Sequence, residues 1–435
     1  MGIEQIYKEF ISSSGVSTDT RSIKGNELFF ALKGENFNGN AFALEALEKG
    51  SRLVVADDPG LADSSRICIV EDSLKTLQDL ASYHRLQWGG KVLAITGSNG
   101  KTTTKELIAS VLSEKFKVLS TSGNMNNHIG VPLTLLNLKD EEIAVVEMGA
   151  NHQGEIACLS QIASPDLGII TNIGKAHLEG FGGIQGVRKG KGELYDYLAT
   201  NKKPVIANMS SGVLKEMTGE RKLEVYSYGL GKGFMVSGRL NDLPGRISGF
   251  LEISGKEYAV SSGLFGEYNF LNMLAAAAAG EVFGVDHQAI IRALENYTAE
   301  NNRSQRIEGK TNSLILDAYN ANPTSMEHAL REFGKMKNRD KMLILGDMYE
   351  LGTDSAHEHE HILKLLNELC FEHVLLIGSM FGEFSHRKEY PFHFFNTVDN
   401  CMEYLEDLRP SGFTILLKGS RKNTLEKTTN ILAEC

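Results

Sequence analysis

The chain has 435 residues, 42% of them hydrophobic and 23% charged, an ordinary globular balance with enough apolar residue for two or three cores. Its formal net charge of −10 argues against a nucleic-acid partner, because phosphate backbones are held by clustered Lys and Arg; the short basic runs read as solvated surface. No apolar run reaches membrane-spanning length. Residues 1–10 lack the basic-then-apolar pattern of a secretion signal. The cysteines Cys68, Cys158, Cys370, Cys401 and Cys435 form no Cys-x-x-Cys pair and are odd in number, which predicts a reducing, cytoplasmic setting without a disulfide framework or a zinc site.

In chain order, residues 26–32 and 52–56 read as strands around a helix at 41–48, a small mixed α/β unit ending near Trp88-Gly89-Gly90. From Lys91 apolar strands alternate with amphipathic helices: strands at 92–96, 143–147 and 167–171, and a helix after Lys101. That order predicts a parallel sheet with crossover helices. Between about 222 and 264, short alternating segments such as 224–228 and 249–253, separated by glycines, predict antiparallel strands added to the same sheet. The alanine run 275–279 belongs to a helix, and strands at 314–317, 342–345, 374–377 and 414–417 predict a third, Rossmann-like α/β unit. The expected division is 1–88, 89–300 and 301–435, with hinges near residues 88 and 300.

The sharpest local signal is the apolar strand 92–96, which breaks into Gly97-Ser98-Asn99-Gly100-Lys101-Thr102-Thr103 and continues as a helix. Glycines let backbone N–H groups approach phosphate oxygens, the helix start contributes its dipole, Lys101 supplies a point charge and the Thr102 hydroxyl can ligate magnesium. The strict phosphate-loop pattern would place a glycine where this chain has Ile95, so the loop is a shortened variant. Such a loop serves GTPases, transporter subunits and kinases alike, although the nearest guanine-type stretch, Asn201-Lys202-Lys203-Pro204, lacks the aspartate. Glu147 and His177 follow other strand ends, where ligands of open parallel sheets bind. With Thr102 they compose an oxygen-rich set suited to magnesium or manganese. Lys191, in the segment KGKGELY at 189–195, reads by chemistry alone as a solvated helix lysine.

Taken together, STDTR at 17–21, FFALKGENFNG at 29–39, TGSNGKT at 96–102, GNMNNHIGVP at 123–132, EMGANH at 147–152 and NIGKAHLEGF at 172–181 resemble the Mur ligases in order and spacing. So do YNFLN at 268–272, DAYNANP at 317–323, LGDMYELG at 345–352 and KGSR at 418–421. The resemblance covers nearly the whole chain and implies a three-domain ATP-dependent ligase that extends a UDP-linked muropeptide, acting as a monomer in peptidoglycan synthesis. It implies that Ser17, Thr20, Arg21, Lys33 and Gly34 meet the UDP end of the substrate. Asn269, Asn272 and Asp317 would hold adenine and ribose, and Arg303, with Arg306 close by, would be swung onto the γ-phosphate.

By the same resemblance Lys191 is carbamylated and joins Thr102, Glu147 and His177 around a pair of magnesium ions, with Lys101 and Asn127 also catalytic. Asn126, Asn127, Asn151, Asn320 and Asn322 resemble the places that meet the reacting acyl group and an incoming D-alanyl-D-alanine. That set distinguishes a dipeptide-adding member from one that adds a single amino acid and from folylpolyglutamate synthetases, which resemble the loop but not the uridine segments. Thr424-Leu425-Glu426 departs from the family pattern in a way that bears on packing.

Overall fold

The protein is described by a computed structural model covering residues 1–62, 64–241, 245–299, 302–336 and 340–434. The hinge expected near residue 300 and Cys435 lie outside the described residues.

The first unit is a four-stranded, wholly parallel sheet in the order Val16–Ser17, Leu28–Phe30, Leu53–Ala56, Ile67–Ile69. A two-stranded hairpin, Lys33–Gly34 with Phe37–Asn38, stands beside it. The expected helix at 41–48 is a 3-10 turn, Gly39–Phe42, running into the α-helix Ala43–Glu48. Helix Ser73–Trp88 is capped by the Asp72 carboxylate on the Lys75 amide at 2.9 Å and stopped by Gly89 in the left-handed region at φ 78°. Its apolar face (Leu77, Leu80, Ala81) joins Val131 and Leu135 of the next unit in one core.

Strand Lys91–Thr96 alternates Val92 and Ala94 toward one core with Leu93 and Ile95 toward another. Its side chains are thus buried on both faces, as a central parallel strand requires. It lies between Ile143–Glu147 and Leu167–Ile170, parallel to both, so the turns leaving all three strands open on one edge. Nine strands make up this sheet. Here the structure corrects one expectation. The strand at 224–228, observed as Val225–Leu230, pairs parallel with both Val205–Asn208 and Val236–Leu240. Antiparallel pairing begins at Ile247–Ile253, which runs against both Val236–Leu240 and Lys256–Ser262. Helix Tyr268–Val282 packs on helix Lys101–Ser113; its alanines allow the close approach, for a Cβ on Gly280 would meet Val111 Cγ1 at 2.7 Å.

The last unit is a six-stranded sheet with parallel Ser313–Asp317, Phe413–Lys418, Asp340–Gly346, His373–Ile377 and His393–Phe395, edged by antiparallel Gln305–Glu308. Asp317 and Lys418 are register partners at the carboxyl ends of neighbouring strands. Leu425, in the departing Thr424-Leu425-Glu426 segment, is buried in the core beneath that sheet.

Candidate active site

One large cavity, about 1220 Å³, opens where the second and third units face one another, lined by both. Its floor is the loop after strand Lys91–Thr96. Gly97 (φ 143°) and Gly100 (φ 78°) adopt backbone that L side chains rarely take. A Cβ on Gly97 would fall 2.0 Å from Thr171 Oγ1, and one on Gly100 would fall 2.8 Å from Asn272 Oδ1, so both positions require glycine.

The loop is tied to the next strand end. The Ser98 hydroxyl donates to the Gly174 carbonyl at 3.0 Å, the Asn99 amide donates to Asn172 Oδ1 at 3.0 Å, and the Thr171 hydroxyl donates to the Asn99 carbonyl at 2.6 Å. Lys101 folds back, its ammonium donating to the Gly97 carbonyl at 2.7 Å. Burial lowers its pKa, Glu147 opposes that shift and Arg303 adds to it. A lysine so placed gains from any anion that enters the loop.

Glu147 ends its strand almost fully buried. One carboxylate oxygen accepts from Asn126 Nδ2 at 2.7 Å, and the other is buried with no hydrogen-bond partner. A buried carboxylate oxygen without a donor is costly unless a cation meets it. The Thr102 hydroxyl, at the first turn of helix Lys101–Ser113, lines the same cavity, as does His177. This donor set fits a hard divalent cation. Among the described residues no three His, Cys, Asp or Glu side chains cluster at metal-binding spacing, so any further ligand must be of another kind.

Lys191 does not line the cavity. It is wholly buried in helix Ile184–Thr200, where its amine donates to the carbonyl of Ala150, a lining residue, at 3.0 Å. Burial, reinforced by the Lys101 charge, holds its pKa well below the usual lysine range. The solvated-lysine reading is thereby overturned.

From the helix Tyr268–Val282, Asn269 donates to the Phe265 carbonyl at 2.7 Å and accepts from Asn272 Nδ2 at 2.8 Å. Asp317 accepts from the Ser304 amide at 3.1 Å and pairs with Lys418 at 2.5 Å. The Arg303 guanidinium lies over the Tyr319 ring, 3.7 Å from its centroid; Arg306 is not among the lining residues.

Asn322 caps helix Pro323–Lys335 and reaches across the cleft to Asn99, donating to Oδ1 at 2.7 Å. Asn126, Asn127, Asn151 and Asn320 also line the cavity. The Asn127 side-chain oxygen accepts from the Gly130 amide at 2.8 Å, at the start of helix Gly130–Leu135; a helix-start role thus stands beside the catalytic one expected of it. Sequence reasoning assigned no role to Glu350, Tyr319 or Ser304, which line the cavity from the third unit, or to Lys418, which strand register sets beside Asp317.

The predicted uridine-end residues lie elsewhere. Arg21 is exposed and paired with Asp19 at 2.7 Å, Lys33 pairs with Asp57 at 3.0 Å beside Gly34 in the hairpin, and Ser17 and Thr20 are buried. None of these lines the cavity.

The family models described as Mur ligase catalytic domain, Mur ligase middle domain and Mur ligase glutamate ligase domain match residues 12–85, 95–280 and 302–421. The chain is 33% identical to the UDP-N-acetylmuramoyl-tripeptide--D-alanyl-D-alanine ligase of Bacillus subtilis (strain 168), covering 97% of this chain and 93% of that protein. The chain belongs to the Mur ligase family. The enzyme of the same name from Escherichia coli (strain K12) is 34% identical, with 98% and 94% covered. Among solved Mur ligases, a MurF from Acinetobacter baumannii superposes with TM-score 0.88 at 33% identity, covering 96% of this chain and 93% of that one. The MurF ligase of Thermotoga maritima in complex with ADP gives 0.86 at 27%, covering 98% of each. A folylpolyglutamate synthase of Mycobacterium tuberculosis, at 15% identity and TM-score 0.64, shares the fold alone.

Proposed function

We infer that the chain is the ATP-dependent ligase that joins D-alanyl-D-alanine to a UDP-N-acetylmuramoyl-tripeptide, releasing ADP and phosphate. The observation that carries this reading is the convergence of the phosphate loop, the half-satisfied Glu147 carboxylate and the asparagines of both units on one cavity. It agrees with what the relatives' names state.

In this reading the substrate's terminal carboxylate attacks the γ-phosphorus of ATP, a P–O bond to ADP breaks, and an acyl phosphate forms. The dipeptide amine then attacks the carbonyl carbon, its excess proton passes to solvent or the departing phosphate, and the C–O bond to phosphate breaks. Lys101 and the loop amides hold the phosphates, and Arg303 adds charge from the third unit. Such phosphoryl transfer needs positioning and electrostatics rather than a protein nucleophile. Thr102, Glu147, His177 and a carbamylated Lys191 would hold magnesium ions, which supply charge neutralisation at the transferring phosphoryl group. Lys191 suits that role because its depressed pKa favours the neutral amine. That amine would add to carbon dioxide, forming an N–C bond and losing a proton, so that a neutral amine would become an anionic oxygen ligand. Asn269, Asn272 and Asp317 would face adenine and ribose, and the first unit's Ser17, Thr20, Arg21, Lys33 and Gly34 the uridine end.

The division at residues 88 and 300, hinge motion there, the monomeric state and the cytoplasmic setting belong to the same proposal. Supporting it, the described cysteines are free thiols, and among the described residues no helix is long and apolar enough to cross a membrane.

The test is purified protein with ATP, magnesium, UDP-N-acetylmuramoyl-tripeptide and D-alanyl-D-alanine, followed by phosphate release and product mass. Release that requires both acceptors, with a product heavier by the dipeptide, is the expected result. Release without either acceptor, or equal turnover with single amino acids, overturns it.

A further inference from the structure

The segment Gly174-Lys175-Ala176-His177 of the second unit is gripped by the third unit at separate points. The Lys175 ammonium pairs with Glu358 at 2.5 Å, and the Lys175 amide donates to Thr324 Oγ1 at 3.2 Å. Beyond them, the buried His177 Nδ1 lies against the Glu350 carboxylate at ion-pair distance, and among the described residues no hydrogen bond of regular geometry reaches that nitrogen. The residue itself lines the cavity.

Glu350 is presented on a firmly held turn. The Asp347 carboxylate accepts from the Met380 and Phe381 amides, each at 3.0 Å. The Met348 amide donates to His359 Nε2 at 3.1 Å and the Tyr349 amide to Ser420 Oγ at 3.3 Å. Glu350 itself has φ 63° and His177 φ 52°. A non-glycine residue in that region persists only where its surroundings over-determine it, and such residues gather at functional sites.

We propose that Glu350 is a positioning residue for the ligation reaction. Its carboxylate, brought by the docked third unit, takes the Nδ1–H of His177 and so turns an unprotonated Nε2 toward the cavity. An ionised carboxylate only accepts, so the nitrogen facing it carries the proton. A ligating histidine is ordinarily oriented by such a partner on its other nitrogen. Here that partner comes from the opposite side of the cleft, so the imidazole is correctly oriented only when the third unit is in place. The inference rests on the proposed ligase reading for its catalytic consequence, but not for the contact itself.

The test uses the full chain with 15N-labelled histidine and no nucleotide, the His177 signals being assigned by their loss in His177→Gln. Wild type is expected to show the Nδ1–H tautomer, and Glu350→Ala a shift toward Nε2–H. Glu350→Gln, which retains an acceptor oxygen, should preserve the wild-type tautomer. Glu358→Gln, which weakens docking without touching the imidazole, should shift the tautomer partway in the same direction as Glu350→Ala. In turnover assays Glu350→Ala should lower kcat about 10- to 100-fold with little change in KM for the muropeptide, and Glu350→Gln should restore part of the loss.

An unchanged His177 tautomer in Glu350→Ala overturns the proposal, as does a kcat equal to wild type. If the wild-type chain shows no ligation at all, the functional reading fails, while the tautomer result still decides the contact.

Discussion

Lys191 stands in a lysine–glycine run that any solvated helix could carry, yet the fold buries it completely. Burial, aided by Lys101, lowers its pKa, so the folded chain binds fewer protons there than the unfolded one. The penalty is full below the folded pKa and fades as pH rises toward the unfolded value near about 10.4. In buffer freed of carbon dioxide, Lys191→Met is therefore expected to raise the denaturant midpoint at neutral pH and to lessen its increase on the alkaline side. The same change should lower ligation about 100-fold or more, as loss of a metal-site oxygen would. Intact-mass measurement of wild type should show the added carbon dioxide, and a fully active Lys191→Met would remove the residue from the site. Asn127 makes the opposite point: a residue type read as catalytic also has a plain local use, holding a helix start.

Among the elements, the loop between strand Lys91–Thr96 and helix Lys101–Ser113 was the most legible, because its chemistry is local: apolar strand, glycines, then lysine and threonine at a helix start. Gly97→Ala puts a Cβ into Thr171 and forces a disfavoured φ. The strain costs about 1–3 kcal/mol, so calorimetry with ADP should show affinity reduced about 10-fold or more while the fold, followed by circular dichroism, persists. Unchanged affinity would mean that the loop does not cradle the nucleotide. Strand positions were legible to within a residue or two where apolar runs are bounded by turns, as at Ile143–Glu147. Strand direction was not. The segment Val225–Leu230 belongs to a glycine-punctuated stretch that reads as antiparallel, but its direction was decided by pairing with Val205–Asn208, a non-local choice.

Across the whole molecule, the site exists only because two units meet. Asn322 serves both purposes, capping its own helix and reaching Asn99 in the loop. Ser325, its partner in the cap, also lines the cavity but makes its hydrogen bonds to Asn322 and none across the cleft among the described residues. Asn322→Ala and Ser325→Ala should each lower unfolding stability by about 1 kcal/mol, read from denaturant melts. Only Asn322→Ala should also raise the KM for ATP, by several fold; equal kinetic effects would make the bridge to Asn99 incidental.

By itself the chain's order of residues determined the family, the three α/β units, the phosphate loop and the identities of Glu147 and His177. The units and the loop follow from hydrophobic periodicity and short-range turn chemistry, which neighbours in sequence already contain, and the family follows from the resemblance of its ordered motifs. Tertiary structure alone decided that Lys191 is buried and that a Glu147 oxygen is left without a donor. It also decided that Glu350 meets His177, and that the uridine-end residues lie apart from the cavity. Each of these depends on packing between segments distant in the chain, where desolvation and the docking of one unit on another set the outcome.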